Sequence, residues 1–415
     1  MTQNPFTSST FESIWSKHFN HNNALFTFDF IQQVTFFKDS RSGVYINTGK
    51  NLTKGISYEL NYDAEDYKGK TFLIYDVPTY FNVKDFNPPK HTGLKLKKIF
   101  QYQGFLMDIS EYASHEEYIN TQFSSKNRRE FRSNQRRLET CFDVSYEFIH
   151  EAISKEKFDK VFQQFHDLLI DRFDEKQTNY HHLSPQKWNY YHELVFEMLK
   201  EKKASLLIIS QSDIPIGITL NFHSETVLFE TITVFDPDYY KFSIGKTSII
   251  KLLEWCFDNN YRISDFSKGD FDYKHKWANT IYNFNYHVLY DSKSLIACFR
   301  AHAVIAYYKL KLFLRKKHVN EFYRKMKYLL SGHDHQHTSH DKVDFDVTYI
   351  KEFDETLYES IDYKASADYF SPMYVYTFLF ANPEPISKIK VFKHKEQHTY
   401  IISGSKKSQQ ITFKP

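Results

Sequence analysis

Over the first hundred residues, apolar and polar positions alternate in short runs. Lys70–Asp76 (KTFLIYD) and Leu94–Met107 mix β-branched and aromatic residues with Gly and Pro punctuation, which predicts strands and turns across residues 1–104. The pattern then lengthens to helical spacing. A charged helix is predicted over about 111–139, followed by helices at Ser154–Phe173 and Ser184–Lys202. The last of these opens with Ser184 at the N-cap and Pro185 at the first helical position, and repeats Trp188, Tyr191, Leu194, Val195 and Met198 on one face.

Strands are predicted next at Ala204–Ser210, Ile216–Phe222 and Thr226–Phe235, the last two joined by a polar hairpin at His223–Glu225. A loop at Asp236–Ser243 leads into a helix from about Gly245 to Asp258, closed by Asn259-Asn260, since Asn tolerates the left-handed cap. Arg262–Ser267 and Tyr286–Tyr290 read as strands again. This order predicts an α/β fold, a mixed sheet flanked by helices, with a parallel crossover through the 245–258 helix. Phe299–Leu330 is a basic helical stretch with nine Arg or Lys and one acid, Glu321. A tract holding His333, His335, His337 and His340 (332–340) reads as a linker, and 341–415 as a small appendage rich in short apolar strings. No internal repeat is visible in the sequence.

Composition narrows the class. A length of 415 residues suggests two or three domains, and 41% hydrophobic with 25% charged residues marks a globular chain. No apolar run reaches the ~18–20 residues of a membrane helix, and the N-terminus lacks the pattern of a secretory signal. Cys141, Cys256 and Cys298 are isolated, which excludes a disulfide scaffold and a Cys-based zinc module and fits a reducing compartment. The net charge of +3 is too small for a whole-chain nucleic-acid reading. A soluble, cytoplasmic enzyme or binding protein is expected.

Three places carry candidate chemistry. The junction PDYYKFSIGKTS (237–248) sets Gly245, Lys246 and Thr247 at a helix start, where open N–H groups and the helix dipole favour phosphate. The first glycine of a nucleotide P-loop would fall at Tyr240, so that motif is rejected; an ordinary helix start is the other reading. DFSKGDFDYKHKW (265–277) follows a strand end with Asp265, Asp270, Asp272, Tyr273 and Lys274, which suits proton transfer and equally suits a salt-bridged surface loop. Glu230 interrupts the apolar strand VLFETITVF (227–235), either on an exposed face or in a cleft that raises its pKa. The basic stretches 124–139 and 299–330 read as solvated faces or as contacts for a membrane surface or an anionic polymer. The His tract reads as a linker and has no thiol partner, so no metal site is expected.

Taken in order, KNRREFRSNQRRL (126–138), PIG (215–217), YKFSIGK (240–246) and DFSKGDFDYKHKWA (265–278) resemble the acetyltransferase domain of the CelD/BcsL cellulose-biosynthesis type, within the GNAT superfamily. The chain is also similar, more distantly, to the FemABX aminoacyltransferases, which carry two GNAT-like units. The resemblance spans about Gly104–Leu330, and its most specific element is Asp265, Phe266, Gly269, Tyr273 and Lys274 in D-F-x-x-G-x-x-x-Y-K; the phosphate loop keeps a single glycine. It implies a tandem GNAT-like pair, with residues 1–123 as a degenerate first half and 124–331 as the acyl-CoA-binding domain. It implies CoA phosphates on Ser243, Ile244, Gly245, Lys246 and Thr247. Chemistry or acceptor binding would fall to Glu230, Asp265, Asp270, Tyr273 and Lys274. The expected activity is acyl transfer from acyl-CoA to an amine, such as an amino sugar of a polysaccharide or cell-envelope precursor. A transferase using charged tRNA and a non-catalytic scaffold are the alternatives.

Overall fold

Strand-forming runs from both halves of the chain join one mixed sheet. The computed structural model describes residues 4–81, 86–89, 92–175, 181–317, 344–364 and 370–414. The strands are β1 (Leu25–Phe28), β2 (Ile31–Lys38), β3 (Tyr45–Asn47), β4 (Glu59–Leu60), β5 (Thr71–Pro78), β6 (Leu94–Asp108), β7 (Val144–Ile149), β8 (Ala204–Gln211), β9 (Ile214–His223), β10 (Val227–Phe235), β11 (Ile263–Lys268) and β12 (Thr280–Asp291). Their order is β1-β2-β3-β5-β12-β6-β11-β10-β9-β8-β7, with β4 beside β2. The helices are α1 (Ser9–Phe19), α2 (His115–Gln122), α3 (Ser125–Cys141), α4 (Lys155–Glu175), α5 (Pro185–Lys200), α6 (Ile244–Asp258), α7 (Asp272–Trp277), α8 (Leu295–Lys316) and α9 (Pro372–Ala381). The expected α/β class and the parallel crossover through α6 are both observed.

The charged segment expected as one helix over 111–139 is two helices. Phe123 adopts an extended conformation and Ser124 caps α3, its side chain accepting from the Asn127 amide. The break is stabilised by packing, because it lets Phe123 bury its ring against Phe131 and Trp277, with centroids 5.0 and 4.6 Å away.

The sheet contains a repeat that the sequence hides. β2 pairs antiparallel with β3, β3 parallel with β5, and β5 antiparallel with β12. β9, β10, β11 and β6 repeat that sequence of pairings. Each half is therefore completed by a strand from the other part of the chain. In both parallel pairs the second strand breaks register near a left-handed residue, Asp76 (φ 59°) in β5 and Ser267 (φ 58°) in β11. The crossover in the second half is α6, whereas the first half makes it with turns and β4 and no α-helix. The sheet runs unbroken across residue 123.

Aromatic side chains account for much of the packing between the halves. Phe6, fully buried, meets Phe222 and Phe229 edge-on at 5.5 and 5.3 Å. One core gathers side chains of α1, α4 and α5 on the sheet, and another lies beneath α2, α3 and α6. Each fully buried large side chain contributes on the order of 1.5–3 kcal/mol.

The appendage is a second sheet of β13 (Phe345–Ile350), β14 (Tyr358–Ser360), β15 (Lys390–His394), β16 (Thr399–Ser403) and β17 (Ser408–Phe413), ordered β13-β17-β16-β15-β14. It shares a core with the body: Phe142 touches Tyr239, Phe242 and Tyr376 at 5.1, 5.3 and 5.1 Å, and the Arg137 guanidinium lies 4.8 Å from the Phe380 ring centroid. The expected His-rich linker, 332–340, lies outside the described residues, as does the C-terminal part of the basic stretch 299–330.

Candidate active site

β10 and β11 pair through Val227↔Ile263, Leu228↔Ser264 and Phe229↔Asp265, and then part. Glu230 is the next residue, so its carboxyl stands where the carboxyl ends of two parallel strands diverge, the usual location of sites in such sheets. It is 9% exposed, and its hydrogen bond among the described residues is from Ser264 Oγ at 3.1 Å. Burial pushes its pKa up from 4.5 to about 7; the Ser264 hydrogen bond and the Lys274 charge oppose the rise, and Asp265 adds to it.

Asp265 and Lys274 serve a different purpose. Asp265 is fully buried and accepts from Tyr282 Oη (2.7 Å), Tyr80 Oη (2.8 Å) and the Ser267 amide (2.6 Å), which occupies both carboxylate oxygens. Burial raises its pKa to about 6, against those hydrogen bonds. Lys274, buried near the start of α7, donates to the carbonyls of Phe266 (2.7 Å), Ser267 (3.5 Å) and Lys268. Burial lowers its pKa to about 8 while Asp265 and Glu230 pull it back up. The pair holds the end of β11 in a strained shape, with Ser267 at φ 58° and Gly269 at φ 106°. The Ser267 hydroxyl is buried with no hydrogen-bond partner among the described residues, an exception to the usual pairing of buried polar groups.

Asp270 and Tyr273 are not brought into this cluster. Asp270 is exposed and meets His275 at 2.6 Å; Tyr273 is 46% exposed, its ring 6.2 Å from that of Phe271. Asp270 precedes the short helix α7 and is exposed, and within α7 Tyr273 is exposed while Lys274 is buried.

The first half supplies groups that sequence reading did not find. Besides Tyr80 and Tyr282, Asp76 accepts from Gln101 Nε2 (2.8 Å), Thr53 Oγ1 (2.9 Å) and Tyr102 Oη. Lys54 is partly buried, and its ammonium makes no hydrogen bond or ion pair among the described residues. Burial, then the charges of Lys268 and Lys274, lower its pKa to about 7, while Asp265 and Asp76 oppose. One sequence signal was available. Gly104 interrupts the long β6, and a Cβ there would lie 2.3 Å from Tyr282 Cζ. Only glycine lets that ring cross to Asp265.

The start of α6 carries the expected phosphate-binding residues Ser243, Ile244, Gly245, Lys246 and Thr247. Ser243 adopts a left-handed conformation (φ 57°), and its carbonyl takes the amides of Lys246 (2.8 Å) and Thr247 (3.3 Å). Ile244 is buried, a Cβ on Gly245 would lie only 3.0 Å from Phe235 Cε1, and Lys246 is paired with Glu130 at 2.7 Å. Further cations lie on α3, which is tied to this junction by Asn134 donating to Ser243 Oγ (3.2 Å). There Arg129, Arg132, Ser133 and Arg136 line a cleft of about 430 Å³ against Pro383. None of these three guanidiniums makes a hydrogen bond or ion pair among the described residues. The chemistry of this set fits phosphate oxygens.

The family model of the acetyltransferase (GNAT) domain matches residues 125–275. No curated protein matches the chain. A crystal structure of a conserved protein of unknown function from Bacteroides thetaiotaomicron is similar at 10% identity, covering 69% of this chain and 91% of the other, with a TM-score of 0.43. A crystal structure of FemX is similar at 10% identity over 61% of this chain and 83% of the other, TM-score 0.43. L-PGS from Bacillus licheniformis is similar at 12% identity over 63% and 82%, TM-score 0.38. All three fall below the level at which a shared fold is decided. The family match holds Glu230, Asp265 and Lys274, and leaves out Lys54, Tyr80 and Tyr282. Residues 125–275, from α3 into α7, are thus similar to a GNAT acetyltransferase domain.

Proposed function

We propose that this chain transfers an acyl group from acyl-CoA to an amine, with Glu230 as the general base. The observation that carries the reading is the position of Glu230: a carboxyl at the divergence of β10 and β11, inside the matched domain, with a proton affinity near neutrality. An acid with a pKa of about 7 accepts a proton from an attacking ammonium without being tied up as a salt. Lys54 and the Ser267 hydroxyl, donors with no hydrogen-bond partner among the described residues, would stabilise the oxyanion that develops. Asp265 and Lys274 are positioning residues that hold the β11 end. Arg129, Arg132 and Arg136 would hold the phosphates of the donor; bound, the donor supplies a thioester. The resemblance to the CelD/BcsL type suggests an amino sugar of a polysaccharide or cell-envelope precursor as acceptor.

The arginine row also favours a second reading, an aminoacyl-tRNA donor, because three open guanidiniums on one helix suit a polyanion. Calorimetric titration of the full chain with CoA, acetyl-CoA and charged tRNA separates the two. Saturable acetyl-CoA binding that Arg132→Glu with Arg136→Glu abolishes supports the first. Binding of tRNA alone, falling steeply with salt, would replace it with the second.

A further inference from the structure

The apolar outer face of α8 has no counterpart in the acyl-transfer reading. The inner face of this helix packs Ala297, Ala301 and Tyr308 onto the sheet. Its outer face exposes Leu295 (89%), Ile296 (63%), Phe299 (77%), Tyr307 (59%), Leu310 (56%) and Phe313 (55%). At about 100° per residue, these six fall within one arc of roughly 120°, directly opposite the buried face. Charges are placed around that arc. Arg300 and Lys311 flank it on one side, Lys309 and Lys316 on the other, and α8 contains no acid. Long cationic stems at the margins of an apolar stripe can lie along it while their heads reach an anionic layer.

We propose that α8 is an interfacial helix that lays this stripe into a bilayer carrying anionic headgroups. A stripe from residue 295 to 313 is about 27 Å long at ~1.5 Å per residue, enough for an in-plane contact and lacking the uninterrupted apolar surface of a spanning helix. No described helix is long and apolar enough to cross a membrane. Charge complementarity selects the lipid class: a cation-flanked stripe without acids is matched by anionic headgroups, while an apolar protein groove would leave the flanking charges without partners. The acceptor would then be met at a membrane surface.

The test is co-sedimentation of the full chain with vesicles of phosphatidylcholine alone and of phosphatidylcholine mixed with phosphatidylglycerol. Wild type should bind the mixed vesicles at least tenfold more than the neutral ones, and added salt should weaken binding. Phe299→Asp with Leu310→Asp, and separately Lys309→Glu with Lys311→Glu, should each reduce binding at least tenfold at an unchanged melting temperature, since all four side chains are exposed. Equal binding to neutral vesicles, no binding, or full binding by the Asp variant would overturn the proposal. So would a wild-type dimer that the Asp variant converts to monomer, because the occupant would then be a second copy of the chain.

Discussion

Replacing Glu230 by Gln separates the stability of this site from its chemistry. The change keeps the size of the side chain and an oxygen to accept from Ser264, and removes only the ionisable proton. The folded chain holds that proton up to about pH 7, while the unfolded chain releases it near the ordinary value of 4.5. Between these values the native state binds more protons, so stability falls as pH rises through the window, and the whole penalty is present above about pH 7. At roughly 1.4 kcal/mol per pH unit the penalty is about 3 kcal/mol. Gln carries none of it. Glu230→Gln should therefore be more stable than wild type by about 3 kcal/mol near pH 8 and by about 1 kcal/mol near pH 5.5, read from urea midpoints at each pH. In the same protein, acyl transfer should drop by about 10²–10⁴-fold if Glu230 is the base. A Gln variant no more stable than wild type at pH 8 would show that the carboxyl is not held neutral, and the case for a poised base would be refuted.

Lys54→Met should be more stable than wild type at pH 6 and lose that advantage by about pH 10.5, because the native state sheds this proton from about 7 upward while the unfolded chain keeps it to 10.5; thermal unfolding at the two pH values decides it. Gly104→Ala should cost about 1–3 kcal/mol by overpacking and displace Tyr282 from Asp265, since the added Cβ falls 2.3 Å from that ring. A loss of activity larger than the loss of folded protein is the expected readout. Removing residues 341–415 should give a protein that aggregates, because Phe142, Tyr239 and Phe242 lose their cover; a monomeric product with an unchanged melting transition would contradict the shared core.

Much of the second half was legible because its information is local. The Ser184-Pro185 start, the 3.6-residue spacing from Trp188 to Met198 and the left-handed Asn260 (φ 60°) after α6 each follow from a few neighbouring residues. Glu230 was found as an acid inside a predicted apolar strand, and Asp265 and Lys274 as charged residues following a strand end. Their different duties were not legible. Whether a carboxylate is saturated, as Asp265 is, or has acceptor capacity left, as Glu230 has, depends on Tyr80 and Tyr282, which arrive from distant strands. Asp270 and Tyr273 read like their neighbour Lys274, yet Asp270 lies in the exposed loop before α7 and Tyr273 is on the exposed side of that helix.

By itself the sequence determined the α/β class and most elements of residues 154–291, since propensity, capping and apolar period act over a few residues, while α1 falls where strands and turns were expected. Tertiary structure alone decided that β12 completes the first half and β6 the second, that two halves without visible sequence similarity share one pairing scheme, and that Tyr80 and Tyr282 reach Asp265. Strand pairing depends on backbone groups common to all residues and on burial by partners far away in the chain, so the same apolar strand can serve either half until packing selects its neighbours.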